Sequence, residues 1–561
     1  MGYLFHSHYY CIYCLEGCRI FKKILSMPIS HLPTLMLLIG YPVFWLEMYV
    51  IRKGYGQTTG LAAGLFILVS LCVVYYKQQG ILKKIGHFVQ GVKVFDFVSK
   101  LFFGTAGMIS LVILACVLYA SLLPPHLIQE SDALNYHITL PRQHLILESF
   151  QHIPWSTADL YLLPVNFALA PFWLVTELPN KFPQFLFLVG LVFVSVRLVD
   201  FLSQGNFLAK VLAVFVVLGS HIVGIQMGTA MLDIALCYLF MASIDSLLHK
   251  KVFLATIEFT FYFWAKSFFP IQMILIGMGL GTFYLIFKKC GLLSVGWNAN
   301  RMFSRKDRME YKKSFRKVIF YFGILSIFIG GPFVVKSLSV TGTPLYPFGV
   351  GMLNVRQMDK GSLAEQSLLE NTEKVLATSE QYAPGRSLKD FIRHLWLIAV
   401  PEKGVNNRYD YPVGLVYLLC IGPFIWVLAS SVRNRQFLII PWLIVFFWGV
   451  WWMGSHQSRF LLIPILLMGI IILSQKIFQT KVFFGCVILS LALTSLSVFR
   501  AHRLDFGKSA RDVLREKDKK LLEMSQTVDR SKKIQLSFFD AAFADFAVDV
   551  RNVNSVFVLK Y

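Results

Sequence analysis

The strongest constraint on this 561-residue chain is a succession of apolar runs, many close to twenty residues long. A helix crosses the roughly 30 Å hydrocarbon core of a bilayer in about 20 residues, so each such run is a candidate span. Charged residues make up only 15% of the chain and hydrophobic ones 56%. A soluble protein carries about 25% charged residues. The pattern therefore specifies an all-α polytopic membrane protein, organised by its spans rather than by soluble domains.

The formal net charge of +23 would suggest nucleic acid in a soluble protein. Here the lysines and arginines cluster in loops between apolar runs, where they act as topology determinants and anionic-lipid contacts, so nucleic acid is not an expected partner. Of the nine cysteines, Cys72, Cys116, Cys237, Cys420 and Cys486 lie in apolar runs and read as small core residues. Cys11, Cys14 and Cys18 stand near His6 and His8, but no second pair completes a metal site. Met27 is an alternative start, and the residues before it lack a signal-peptide cleavage site.

Lysine and arginine bias orients the spans. The first two are expected at His31–Ile51 and Thr59–Tyr76, followed by a basic, cytoplasmic loop, KQQGILKKIGHFVQGVKVFDFVSK. A third, Leu101–Leu123, delivers residues 124–181 to the outside. Leu162–Leu178 is apolar enough to cross, yet counting it would turn the basic segment Arg301–Lys317 outward. It also contains Pro164, Asn166, Pro171 and Glu177, and reads as an interfacial helix. The remaining spans are expected at Phe182–Leu202, Phe207–Ile225, Thr229–Leu248, Val252–Ala265, Phe269–Phe287, Val318–Ser337, Tyr411–Ser430, Phe437–Met453, Arg459–Lys476 and Lys481–Phe499. The result is about thirteen transmembrane helices, with interfacial helices in the first large external loop. Residues 1–30 form a cytoplasmic segment, 31–499 the membrane domain, 338–410 a second external loop and 500–561 an external tail. That tail begins with a helical, charged pattern and ends in two short strands, KIQLSFF and SVFVLKY, which makes a small α/β segment.

The stretch Glu130–Ser149 places Asp132, His137, Arg142, His144 and Glu148 between two apolar runs. On this topology Asp132, Tyr136, His137 and Arg142 are external, and Asp233, Lys266, Lys336, His456 and Arg459 sit at outer span ends. A charge at mid-span costs about 2.5–3.5 kcal/mol on insertion scales, so each of these groups asks for a role. Asp132 either caps a short helix running to about Leu140 or acts as a general base toward an acceptor hydroxyl. His137, five positions on, is about 140° round a helix from Asp132. It can orient a phosphate, bind a metal or donate a hydrogen bond, and its spacing from His126, His144 and His152 fits no tight metal signature. A divalent metal stays open. Lys266 and Arg459 suit a leaving phosphate, and each also reads as an interfacial cation. Asp233 pairs with one of them or holds substrate, while Trp155, Tyr161 and Tyr346 are candidates to stack on sugar rings.

At these residues the sequence resembles the polytopic glycosyltransferases of superfamily C (GT-C), the class that includes protein O-mannosyltransferases and the lipid A aminoarabinose transferase. The resemblance covers roughly Leu101 to Phe499. It rests on Asp132 with Tyr136, His137 and Pro141, the LLP-led helix from Leu162, MLDIAL with Asp233, Lys266, the turn Gly342–Phe348, and RFLLIP at Arg459–Pro464, in that order. It implies inverting transfer of a sugar from a polyprenyl-phosphate donor to a lipid, glycan or protein acceptor at the periplasmic or lumenal face of the inner (plasma) membrane. It puts the base role on Asp132 and lipid-phosphate contacts on Lys266 and Arg459. Two departures stand out: Glu130-Ser131-Asp132 is a spaced acidic pair rather than an adjacent one, and the tail is short, which disfavours protein acceptors. The rival readings are a transporter or flippase, which would place its ionisable groups near mid-membrane, and a non-catalytic assembly protein.

Overall fold

The computed structural model describes residues 27–51, 62–70, 97–125, 130, 132–153, 156–174, 180–289, 305–348, 387–399, 412–434, 438–454, 457–475, 477 and 481–502. Among them all regular structure is helical. In chain order the helices are α1 (Leu32–Leu46), a segment over 62–70, α2 (Phe97–Leu122), α3 (Thr139–Leu147), α4 (Pro164–Trp173), α5 (Phe182–Leu202) and α6 (Phe207–Leu218). They continue as α7 (His221–Gln226), α8 (Asp233–Leu248), α9 (Val252–Trp264), α10 (Phe268–Lys289), α11 (Arg305–Ile329) and α12 (Gly331–Thr341). The last five are α13 (Leu388–Leu397), α14 (Leu415–Arg433), α15 (Ile439–Met453), α16 (Leu462–Leu473) and α17 (Lys481–His502). The C-terminal α/β segment and most of the second external loop lie outside the described residues.

A helix that is apolar on every side has to be enclosed on every side, by protein or by lipid. Three helices are enclosed by protein. Every residue of α4 and of α16 is buried, as is all of α8 except Ile244 and Leu247. Around them α2, α10 and α17 turn one face outward, with Met108, Leu111 and Val112, Ile274 and Met278, and Leu489, Leu493 and Leu496 exposed at helical spacing. Those faces form an apolar belt.

Helices in a bilayer gain little hydrophobic drive from meeting each other, so small residues that permit backbone contact carry the packing. At Gly40 of α1 an added Cβ would stand 1.9 Å from the Ala168 carbonyl oxygen of α4. At Gly190 of α5 it would meet Pro33 and Tyr238, both at 2.8 Å. The Gly219 carbonyl at the end of α6 accepts hydrogen bonds from Ser490 Oγ (2.9 Å) and Thr494 Oγ1 (2.8 Å) of α17.

Six of these helices are long and apolar enough to cross a membrane, or seven if one bent pair counts as a span. The thirteen-span expectation is not reached on length and composition. Val252–Trp264, Ile439–Met453, Ser458–Leu473 and Phe207–Leu218 are apolar but shorter. The expected span from Phe207 breaks after Gly219 into α6 and α7, and the one expected from Thr229 starts only at Asp233. Over the expected span Val318–Ser337, α11 and α12 meet at 55°. The carbonyls released by that break are met by Tyr41, whose Oη donates to Phe328 O (2.9 Å) and Ile329 O (3.1 Å). Trp264 fills the space over Gly330, where a Cβ would come within 2.4 Å of its ring.

The interfacial reading of Leu162–Leu178 is corrected. Over Pro164–Trp173 the chain is a helix wedged inside the bundle, with no polar face to lay on a surface. Pro164 suits its first turn, which needs no N–H donor, and Pro171 falls near its end.

The Gly40 contact leads to a direct test. Gly40→Val should destabilise the folded protein by about 1–3 kcal/mol, the usual cost of overpacking. Gly104→Val, where an added Cβ would meet no other part of the described residues within 4 Å, should be neutral. Thermal unfolding of both variants in one detergent distinguishes them.

Candidate functional site

Four chain segments bring ionisable groups to one end of the bundle. They are the turn that opens at Asp132, the first residue of α8, the link after α9, and the turn Ser458–Leu461 before α16. Asp132 precedes a short, wide helical turn, Ala133–His137, closed by Ile138 N donating to Ala133 O (3.0 Å). Its side chain makes no capping hydrogen bond. The carboxylate is turned instead toward Arg459, with Oδ2 accepting from Nη1 at 3.2 Å. The Asp132 side chain keeps 31% of its exposure.

The second pair sits beside the first. Lys266 Nζ donates to Asp233 Oδ1 at 3.0 Å. The Asp233 side chain is 4% exposed, and its Oδ2 is buried without a hydrogen-bond partner among the described residues. One ring joins the two pairs: the centroid of Phe460 lies 4.8 Å from Lys266 Nζ and 5.5 Å from Arg459 Cζ. Gln457 Oε1 accepts from Arg459 Nη2 at 3.3 Å, which fixes the guanidinium plane.

His137 is buried within the field of all four charges. The amide Nδ2 of Asn166, on α4, lies 3.2 Å from the His137 carbonyl oxygen and 2.6 Å from its Nδ1. An atom facing a carbonyl oxygen must donate, so Nδ1 accepts and Nε2 carries the proton. Burial pushes the His137 pKa down to about 3, so the ring is a neutral donor at physiological pH. Tyr136 packs on this ring at 4.2 Å, and burial drives its phenol well above the ordinary range. Asp132, Tyr136, His137, Asp233, Lys266 and Arg459 therefore lie together in the structure. Arg142, half-buried on α3, is not a partner in either ion pair. Tyr346 is fully buried and stacks on Tyr161 at 5.8 Å, so it offers no face to a sugar. Trp155 and His456 lie outside the described residues.

The structure also separates charges that look alike in sequence. Glu130, two residues from Asp132, is buried: Oε1 meets Lys181 Nζ at 2.7 Å, and Oε2 accepts from Ala230 N at 2.6 Å. Asp159, which sequence reasoning did not single out, collects His144 (2.6 Å), His152 (3.3 Å), Lys336 (2.7 Å) and the Ile153 amide (2.8 Å). Burial alone would raise its pKa, but the hydrogen bonds from His144 and His152 and the Lys336 charge hold it below the ordinary range. Lys336, His144 and His152 thus belong to a structural node. Asn166 was visible in the sequence only as a polar interruption of an apolar run.

The Nδ1 of His137 is taken by Asn166, both site carboxylates face cations, and no group of three or more His, Cys, Asp or Glu side chains is arranged to hold an ion among the described residues. Compared with protein-family models, with curated proteins and with solved structures, the chain matches none.

The two neighbouring acids should separate on mutation. Glu130→Gln breaks a buried ion pair and should cost about 3–5 kcal/mol of stability. Asp132→Asn removes a partly exposed one and should cost less than about 1 kcal/mol. Unfolding in detergent measures both. The neutral His137 adds an acid limb. The unfolded chain takes up a proton near pH 6.5 that the folded chain refuses until about pH 3. This contribution is complete above pH 6.5 and is lost as the pH falls, by up to about 1.4 kcal/mol per pH unit. His137→Gln should flatten that limb in unfolding measured across the acid range.

Proposed function

We propose that this protein is an integral membrane glycosyltransferase that moves a sugar from a polyprenyl-phosphate donor to a lipid or glycan acceptor on the outer, periplasmic or lumenal, face of the inner (plasma) membrane. The observation that carries the reading is an accessible carboxylate, Asp132, set beside two cations that share the Phe460 ring at a bundle end. Six helices of membrane-spanning length and a sequence resemblance to superfamily C add to it.

In the proposed step the acceptor hydroxyl gives its proton to Asp132 as its oxygen attacks the anomeric carbon of the donor. The bond from that carbon to the phosphate oxygen breaks with inversion. The electron pair leaves on polyprenyl phosphate, whose added charge is received by Lys266 and Arg459. Arg459 also holds the Asp132 carboxylate in place before the reaction. When the phosphate draws the guanidinium, the Asp132 carboxylate is freed to face the acceptor hydroxyl. His137, neutral and fixed as a donor at Nε2, suits a sugar hydroxyl or a phosphate oxygen without adding charge. Asp233 holds Lys266 in place and keeps one oxygen for substrate.

The test is transfer of labelled sugar from defined polyprenyl-phosphate donors by the full chain in vesicles. Asp132→Asn should lower turnover by about 10²–10⁴, the range for loss of a general base, at wild-type expression and thermal stability. Arg459→Gln and Lys266→Met should each lower turnover as well. Undiminished transfer by Asp132→Asn removes Asp132 from the mechanism, and no transfer by the wild type from any polyprenyl-phosphate sugar removes the reading itself.

A further inference from the structure

Residues 388–397 lie in a stretch that hydropathy leaves outside the spans, yet they fold as a sharply two-sided helix, α13. Ser387 and Asp390 close a capping box at its start: Ser387 Oγ accepts from Asp390 N at 3.1 Å, and Asp390 Oδ2 accepts from Ser387 N at 3.1 Å. The helix is thus set by its own first turn. One face packs on the bundle. His394 is fully buried, Phe391 and Leu395 lie against the core, and Trp448 Nε1 donates to His394 Nε2 at 2.9 Å. The His394 ring also meets Trp451 at 4.8 Å and Trp452 at 5.0 Å.

The other face is exposed and graded. At about 100° per residue, the order round the helix is Ile392, Trp396, Lys389, Arg393, within about a quarter to a third of a turn. Ile392 is 63% exposed and Trp396 60%, and Lys389 and Arg393 are exposed beside them. The apolar side continues onto Met453, 63% exposed, at the adjacent end of α15. An exposed isoleucine and tryptophan next to two basic residues on one helix face match the boundary between acyl chains and phosphates.

We propose that α13 is a docking surface for anionic phospholipid. Ile392 and Trp396 enter the acyl boundary while Lys389 and Arg393 meet lipid phosphates. The surface lies at the same end of the bundle as the candidate site. Trp451, packed on His394, donates from Nε1 to Gln457 O at 2.7 Å, and the side chain of Gln457 holds Arg459. The proposal rests on the chain being integral to a membrane and not on any transferase activity.

The test uses the full chain in vesicles of phosphatidylcholine with and without phosphatidylglycerol. Nitroxides at Ile392→Cys and Lys389→Cys report depth through collisions with oxygen and with a water-soluble nickel chelate. Position 392 should favour oxygen and position 389 the chelate. The full chain should enrich phosphatidylglycerol in its lipid shell, read by a nitroxide-labelled phosphatidylglycerol. Each of Lys389→Gln and Arg393→Gln should lower that enrichment by up to roughly fivefold, about 1 kcal/mol per basic residue near the surface. Three results overturn the proposal. In the first, position 392 is as open to the chelate as position 389. In the second, enrichment is indifferent to both basic substitutions. In the third, position 392 is shielded from both collision partners, with or without spin–spin broadening, so that a second copy or another part of the chain covers the face.

Discussion

A low-dielectric helical bundle tolerates charge only where the charge is answered, and this constraint organises the protein. Taking an ion out of water costs several kcal/mol even after relaxation, so an unpaired buried carboxylate would oppose folding. The chain meets the constraint by joining distant segments through ionic nodes. Glu130 ties the loop before Asp132 to Lys181 at the head of α5. Asp159 ties the first loop to Lys336 of α12. His31 stands between Asp245 Oδ2 (2.9 Å) and Glu258 Oε1 (2.5 Å), which joins α1 to α8 and α9, while Arg197 of α5 closes on the same Asp245 at 2.9 Å. In these nodes the carboxylates are buried. The Asp132–Arg459 pair, by contrast, leaves both partners partly open, at 31% and 15%.

Helix α8 relates the two ends of the bundle. Asp233 begins it and Asp245 falls in its last turn, twelve residues or about 18 Å away. At the far end Glu258 also accepts from Thr34 (2.8 Å) and Ser246 (2.8 Å), so that node is bound up in its own contacts. At the near end Asp233 retains a buried oxygen with no partner among the described residues. The same helix thus carries a buried, densely bonded polar cluster at one end and a partly open one at the other. An unmet buried acceptor beside an open carboxylate is what a hydroxyl-bearing ligand could complete.

Much of this site was legible before any coordinates. Lysine and arginine bias assigns a common side to Asp132, Asp233, Lys266 and Arg459, and those four do meet. What hydropathy could not supply is the difference between lipid and protein interior, since both are apolar. Leu162–Leu178 therefore read as an interfacial helix, whereas Pro164–Trp173 is enclosed on every side. The same ambiguity hid the break at Gly330, which depends on Tyr41 and Trp264 reaching across from other helices. Asp159 escaped notice because its partners come from positions 144, 152 and 336, and no local pattern announces them. Asn166 looked like a flaw in a span, yet its meaning lies in the His137 ring it orients.

The contrast between Glu130 and Asp132 shows how the fold assigns roles to like residues. Both are acids in one short segment, and spacing alone would make them equivalent. Glu130 receives an ammonium and a backbone amide, so both its oxygens are committed to holding segments together. Asp132 receives a single guanidinium contact at 3.2 Å, from an arginine that also engages Gln457 and the Phe460 ring. On the proposed reading Asp132 has to take a proton, so its partner must be able to let go. Arg459 can turn to an incoming anion because Gln457 and Phe460 still hold it when Asp132 does not. The second of these residues also meets Lys266, so an anion drawn by one cation arrives at the other. On the proposed reading one side chain then serves both the substrate anion and the carboxylate, and its partial exposure distinguishes this ion pair from the buried ones around it.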